Sequence, residues 1–126
     1  MNTYLIAVPI KAGKTEAWKS YMKEITGPRF EEYKAARKKA GIKKEKAYLQ
    51  HTPQGDMAIV MLGGDNPRKA LESFLTSNEP FDKWFRETVL TEIHGMDPSQ
   101  SIPANEQYID YHEVPAGEVV GAGKAG

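Results

Sequence analysis

The side chains best suited to chemistry in this sequence are three histidines and an arginine beside a helix break. His51 closes the run Lys46–Thr52, next to a turn. A neutral imidazole at the mouth of a pocket can act as a general base near neutral pH; without a pocket it is a surface histidine. His94 directly precedes Gly95 at a helix end, where a protonated imidazole complements the helix dipole without needing a substrate. His112 would share a strand face with Tyr108 and Asp110, either to bind polar ligands or simply to pair across strands. Arg29 follows Gly27-Pro28. It could clamp a carboxylate bidentately, or stand solvated at a helix start. Trp18, Tyr33, Tyr48, Phe81, Trp84 and Phe85 offer aromatic surface for the walls of an apolar pocket or for the core. The catalytic reading takes His51 as base and Arg29 as anion clamp, with Trp18, Tyr33, Tyr48 and Trp84 around the substrate.

Composition removes several chemistries. The chain has 126 residues and no cysteine, so disulfides, thiolate catalysis and Cys-based metal sites are excluded. There is no close His pair, and no His/carboxylate spacing suited to a ligand set except Asp110 and His112 on the last strand, so no metal is expected. Gly63-Gly64-Asp65-Asn66-Pro67 superficially resembles a phosphate loop. It lacks the G-x-G-x-x-G and G-K-[ST] patterns, however, and places Asp65 where a phosphate would sit. It reads instead as a strand end followed by a helix cap. Seventeen basic and seventeen acidic residues balance, which disfavours electrostatic nucleic-acid binding. Arg29 to Lys46 holds eight basic and three acidic residues, as expected of a solvated helix face with a basic last turn. The apolar run from Tyr4 to Ile10 is too short to span a bilayer. With neither a basic leader nor a cleavage site, the chain is expected in the cytoplasm, with no membrane partner.

The elements that must position these residues are legible from periodicity. Tyr4–Ile10 reads as a strand. Ala17, Trp18, Tyr21, Met22 and Ile25 form the apolar stripe of a helix. Thr26-Gly27-Pro28 interrupts it, with Thr26 placed to cap the restart. Phe30, Tyr33, Ala36, Arg37 and Ala40 continue a weaker stripe to Gly41. Lys46–Thr52 and Met57–Leu62 read as strands joined by a hairpin, with Pro53 in the turn and a glycine of positive φ after it. Asn66 and Pro67 open a short helix. A second helix restarts at Glu79-Pro80 and carries Phe81, Trp84, Phe85, Val89 and Ile93 to Gly95. Gln107–His112 is expected to be the last strand. Residues 1–113 would form one domain and 114–126 a flexible tail.

This order is that of an α+β, ferredoxin-like βαββαβ domain: a four-stranded antiparallel sheet with helices on one face. A sheet of this kind should alternate apolar and polar residues, because its second face meets water. Tyr4–Ile10 and Ala58–Leu62 are apolar on both faces. The uncovered face therefore needs a cover, and a homodimer that pairs sheet to sheet is the economical one.

The order, together with Ala47–Pro53, Gly55-Asp56, Gly64–Pro67 and Pro80–Phe85, resembles the dimeric α+β barrel superfamily. Within it, these segments look like a bacterial family of small uncharacterised domains. The resemblance implies two sheets facing each other, with a ligand pocket between each sheet and its helices. It also implies a choice among cofactor-independent monooxygenases, isomerases and lyases of small organic molecules, and haem-degrading proteins. The expected activity is that of an enzyme without cofactor. The alternatives are a non-catalytic binding module for a hydrophobic ligand or haem, and a purely structural interaction domain.

Overall fold

A computed structural model describes residues 1–114. The chain begins with strand β1 (Asn2–Pro9), helix α1 (Thr15–Thr26), helix α2 (Phe30–Lys39), strand β2 (Ile42–Thr52) and strand β3 (Gly55–Gly64). Helix α3 (Pro67–Phe74) and helix α4 (Pro80–Phe85) follow. The latter runs directly into a π-helical stretch at Arg86–Thr91. From residue 115 on, the expected tail lies outside the described residues.

Among the described residues the sheet has three strands in the order β1-β3-β2, both pairs antiparallel. Register decides its two faces. Across β1, β3 and β2 in turn, Tyr4 aligns with Leu62 and then Glu45, Ile6 with Val60 and Ala47, and Val8 with Ala58 and Leu49. This row meets the helices, and Tyr4, Ala58 and Leu62 are buried. The alternate row holds Leu5 with Met61 and Lys46, and Ala7 with Ile59 and Tyr48. On that face Leu5 and Tyr48 keep 52% and 57% of their surface. The face without helices is thus apolar on β1 and β3, as the lack of alternation predicts, while β2 adds Lys44, Lys46 and Gln50 beside Tyr48.

The hairpin forms where expected. Thr52 pairs with Gly55 across Pro53-Gln54, and Gly55 takes φ +127°. The hydroxyl of Thr52 donates to Gly55 O and accepts from Gln54 N, tightening the turn. Gly27-Pro28 separates α1 from α2, as the missing amide hydrogen of proline requires. Thr26 does not cap the second helix; its hydroxyl donates back to Met22 O at 2.8 Å, a local bond that competes with capping. Asn66 caps α3 as expected, its Oδ1 accepting from Lys69 N, with Pro67 in the first turn.

Two further expectations change. The helix read as one amphipathic run to Gly95 is α-helical only to Phe85. Beyond that the wider π turn takes over, and Gly95 closes it with φ +67°. Periodicity near 3.6 cannot distinguish one π turn from an α turn over so short a stretch.

The expected fourth strand, Gln107–His112, is not a strand in the described structure. The chain does return to the free edge of β1. Tyr4 Oη donates to Pro103 O at 2.6 Å. The Asn105 side chain accepts from Leu5 N at 2.8 Å and donates to Leu5 O at 2.9 Å. That side-chain amide takes the place of a paired strand residue. Beyond it, Tyr108, Ile109 and Tyr111 stand more than four-fifths exposed, covered by no surface among the described residues.

The core falls into two packed groups. Tyr4, Leu62, Leu71, Phe74 and Leu90 belong to one; Ile10, Trp18, Ala58 and Ile93 belong to the other. Between them the packing opens.

Candidate functional site: a cavity between the sheet and the helices

The opening is a cavity of about 310 Å³, a size at which small-molecule pockets begin. Ile6, Val8, Ala47, Val60 and Leu62 form its floor on the sheet. Trp18, Met22 and Ile25 of α1 wall one side, and Phe74, Phe85, Val89 and Leu90 of the later helices wall the other. Most of this surface is carbon. The polar side chains on it are Thr26, Tyr33, Arg37, Glu45 and His94.

Three of the five form one cluster. Tyr33 and Arg37 lie four residues apart on α2, a spacing that puts both on one helix face. Opposite them, Glu45 points from β2 toward the helices. Its Oε1 accepts from Tyr33 Oη at 2.9 Å and from Arg37 Nε at 2.7 Å. Both partners of the ion pair are secluded, with side-chain exposures of 6% for Arg37 and 15% for Glu45. The guanidinium also stacks among rings, 4.3 Å from the centroid of Phe74 and 4.8 Å from that of Phe85. Arg37 Nη1 is buried without a hydrogen-bond partner among the described residues. Burial raises the Tyr33 phenol well above its ordinary pKa, and the neighbouring Glu45 carboxylate adds to the rise. The Tyr33 hydroxyl is therefore a donor at every physiological pH.

His94 lies toward the other end of the sheet. Its Nδ1 is 2.9 Å from Pro9 O. A carbonyl only accepts, so Nδ1 carries the proton and the neutral ring presents an unprotonated Nε2. Burial pushes the His94 pKa below the usual histidine value, against the opposing pull of the bond to Pro9. The neutral form therefore dominates at pH 7. Pro9 stands five residues along β1 from Tyr4, which pairs with Leu62, the residue that pairs with Glu45 on its other side. At the rise of a strand, this separates the ends of the cavity by roughly 16 Å of backbone. Main-chain bonds hold the His94 end: Lys11 N donates to Ile93 O at 2.9 Å, and Met96 N to Leu90 O at 2.9 Å. The π turn just before His94 is a device that often accompanies functional sites.

The sequence-predicted residues divide. Trp18 and Tyr33 line the cavity. Arg29, Tyr48, His51 and Trp84 are not among its lining residues. His51 bonds through Nδ1 to Asp56 Oδ1 at 2.6 Å and keeps 71% of its side chain in solvent. The same aspartate accepts from Thr15 at the start of α1. These bonds from Thr15 and His51 hold the Asp56 carboxyl below the usual range. Arg29 pairs with Glu24 and Glu32 and lies over the ring of Trp84 at 4.2 Å. Trp84 in turn meets Tyr21 and Phe81. Tyr48 stands on the face of the sheet away from the helices. His112 and Asp110 are exposed.

Sequence reasoning missed the roles of Arg37 and Glu45. The available signal was an arginine inside an otherwise apolar helix stripe, with a lone acid among lysines where the next strand begins. Among the described residues no three His, Asp or Glu side chains converge as a metal site, and no helix is long and apolar enough to cross a membrane. Compared with protein-family models, curated proteins and solved structures, the chain matches none of them.

Proposed function

We propose that this domain takes a small, mainly apolar organic molecule into the cavity between sheet and helices. We further propose that His94 accepts a proton from it in a reaction needing no metal or organic cofactor. The observation that carries this reading is the union of an apolar cavity of about 310 Å³ with a neutral, half-buried histidine on its wall. A base with a depressed pKa and a fixed tautomer suits proton transfer near neutral pH. Proton abstraction from a neutral carbon acid would begin at Nε2, leading to isomerisation, or to oxygenation with dioxygen as co-substrate and oxidant. The resemblance to the dimeric α+β barrel superfamily supports the same placement of the pocket.

Two substitutions separate binding from chemistry. Val60→Phe fills the cavity from the sheet and should abolish binding of an apolar probe measured by calorimetry. His94→Asn keeps a donor for Pro9 O but removes the base, so binding should persist while turnover is lost. Unchanged probe binding in Val60→Phe would refute the pocket. Full turnover in His94→Asn would refute the base and return attention to His51.

The apolar face formed by Leu5, Ala7, Ile59, Met61 and Tyr48 supports a second element of the proposal, pairing with another copy sheet to sheet. In that dimer Gln107–His112 would take the place beside β1 where Asn105 already bonds to Leu5, completing the four-stranded ferredoxin-like sheet. Light scattering tests it. The wild-type chain should show twice the monomer mass at micromolar concentration, and Ile59→Lys should show the monomer mass.

A further inference from the structure

One side chain on the cavity wall carries a polar atom whose needs the folded chain leaves unmet. Arg37 lines it, is buried, and has Nη1 without an acceptor among the described residues. A buried N–H on a charged group that lacks an acceptor is costly, so such a group is normally satisfied by something. A ligand oxygen would satisfy it. The charge state of that oxygen follows from the neighbour. Arg37 Nε already donates to Glu45 Oε1 at 2.7 Å, so the guanidinium charge is neutralised before any ligand enters. A carboxylate beside this pair would add a second buried negative charge facing a single positive one. In an apolar cavity that is heavily penalised. A neutral carbonyl accepts the same N–H with no charge to desolvate. The aromatic rings of Phe74 and Phe85 around the guanidinium favour a flat neighbour.

We propose that the ligand of this cavity is a neutral, mainly apolar molecule bearing one carbonyl-type oxygen, which accepts from Arg37 Nη1 while the apolar remainder extends along the sheet toward His94. This inference rests on the pocket reading above and specifies its ligand class. It also assigns Arg37 a binding role and Glu45 the role of setting the preferred ligand charge.

Three matched probes test it by calorimetry on the full chain: methyl naphthyl ketone, its isopropenyl isostere in which CH₂ replaces the oxygen, and naphthoate. The ketone should bind about tenfold or more tighter than the isopropenyl compound, because only the ketone supplies the acceptor. Naphthoate should bind at least about tenfold more weakly than the ketone. In Glu45→Gln the guanidinium charge is no longer neutralised, and the order of ketone and naphthoate should reverse. Equal affinity for ketone and isopropenyl compound would leave the pocket standing and overturn the assignment of Arg37. Naphthoate binding tightest to the wild type would overturn the neutral-ligand assignment. Failure of all three probes to bind would overturn the pocket reading itself and this inference with it. The comparison in the wild-type chain decides the matter even if Glu45→Gln does not fold.

Discussion

Replacing Arg37 by methionine should be among the most destabilising single changes in this protein, for reasons that can be counted. The guanidinium is almost wholly buried, pairs with a Glu45 that is itself only 15% exposed, and packs 4.3 Å from Phe74 and 4.8 Å from Phe85. Methionine retains much of the apolar contact but removes the charge and the bond to Glu45. The carboxylate is then left secluded with only the Tyr33 hydroxyl as donor. Removing one partner of a buried pair costs about 3–5 kcal/mol. Glu45 is not fully buried, which places the expected loss near the lower end, at about 3 kcal/mol. Glu45→Gln should cost a similar amount by stranding the arginine. The double variant Arg37→Met/Glu45→Gln leaves no uncompensated charge. It should lose about 4 kcal/mol rather than the additive 6, a coupling of about 2 kcal/mol. Urea unfolding followed by circular dichroism measures all four corners of this cycle, with equal slopes required for the comparison. A loss under about 1 kcal/mol for Arg37→Met, or strict additivity in the double variant, would refute the reading of a secluded and mutually dependent pair.

His94 carries a pH dependence of definite sign. Its folded-state pKa lies below the ordinary value because of burial, so the unfolded chain takes up the proton first as pH falls. Stability should therefore drop as pH decreases through the ordinary histidine range, near about 6.5, and stop dropping below the folded-state value. Urea midpoints at pH 7.5 and 5.5 should differ less in His94→Asn than in the wild type. Tyr33, held protonated by burial and by Glu45, should ionise later than the exposed tyrosines in an alkaline absorbance titration, and Tyr33→Phe should delete that late component. The glycines at the end of β3 should respond unequally. A Cβ on Gly64 would drive into the backbone carbonyl of Gly41, whereas one on Gly63 would meet the Met1 side chain at 3.1 Å and Lys44 Cβ at 3.3 Å. Gly64→Ala should thus lower the melting temperature by several degrees more than Gly63→Ala.

Much of the framework was legible in the residues alone. The break at Gly27-Pro28, the turn at Pro53–Gly55 and the cap at Asn66-Pro67 depend on local backbone chemistry, so each appears where sequence places it. The apolar character of both faces of β1 and β3 was equally readable, because side chains alternate strictly across a strand. What sequence could not settle was which buried groups meet. Glu45 and Tyr33 are twelve residues apart and Glu45 and Arg37 eight. Their contact depends on α2 folding back over the sheet in one register. His51 and His94 were told apart only by tertiary packing. One bonds across the hairpin to Asp56, its cross-strand partner, and faces solvent. The other is tied to Pro9, eighty-five residues away, at the wall of the cavity. Gln107–His112 carries strand-like residues, but a strand also needs a free edge and a cover for its apolar side chains. Among the described residues Asn105 already occupies Leu5, and nothing covers Tyr108, Ile109 and Tyr111. Local chemistry determined the helix break, the hairpin turn and the Asn66 cap; the long-range register of sheet and helices decided where the cavity opens and which charged and titratable groups line it.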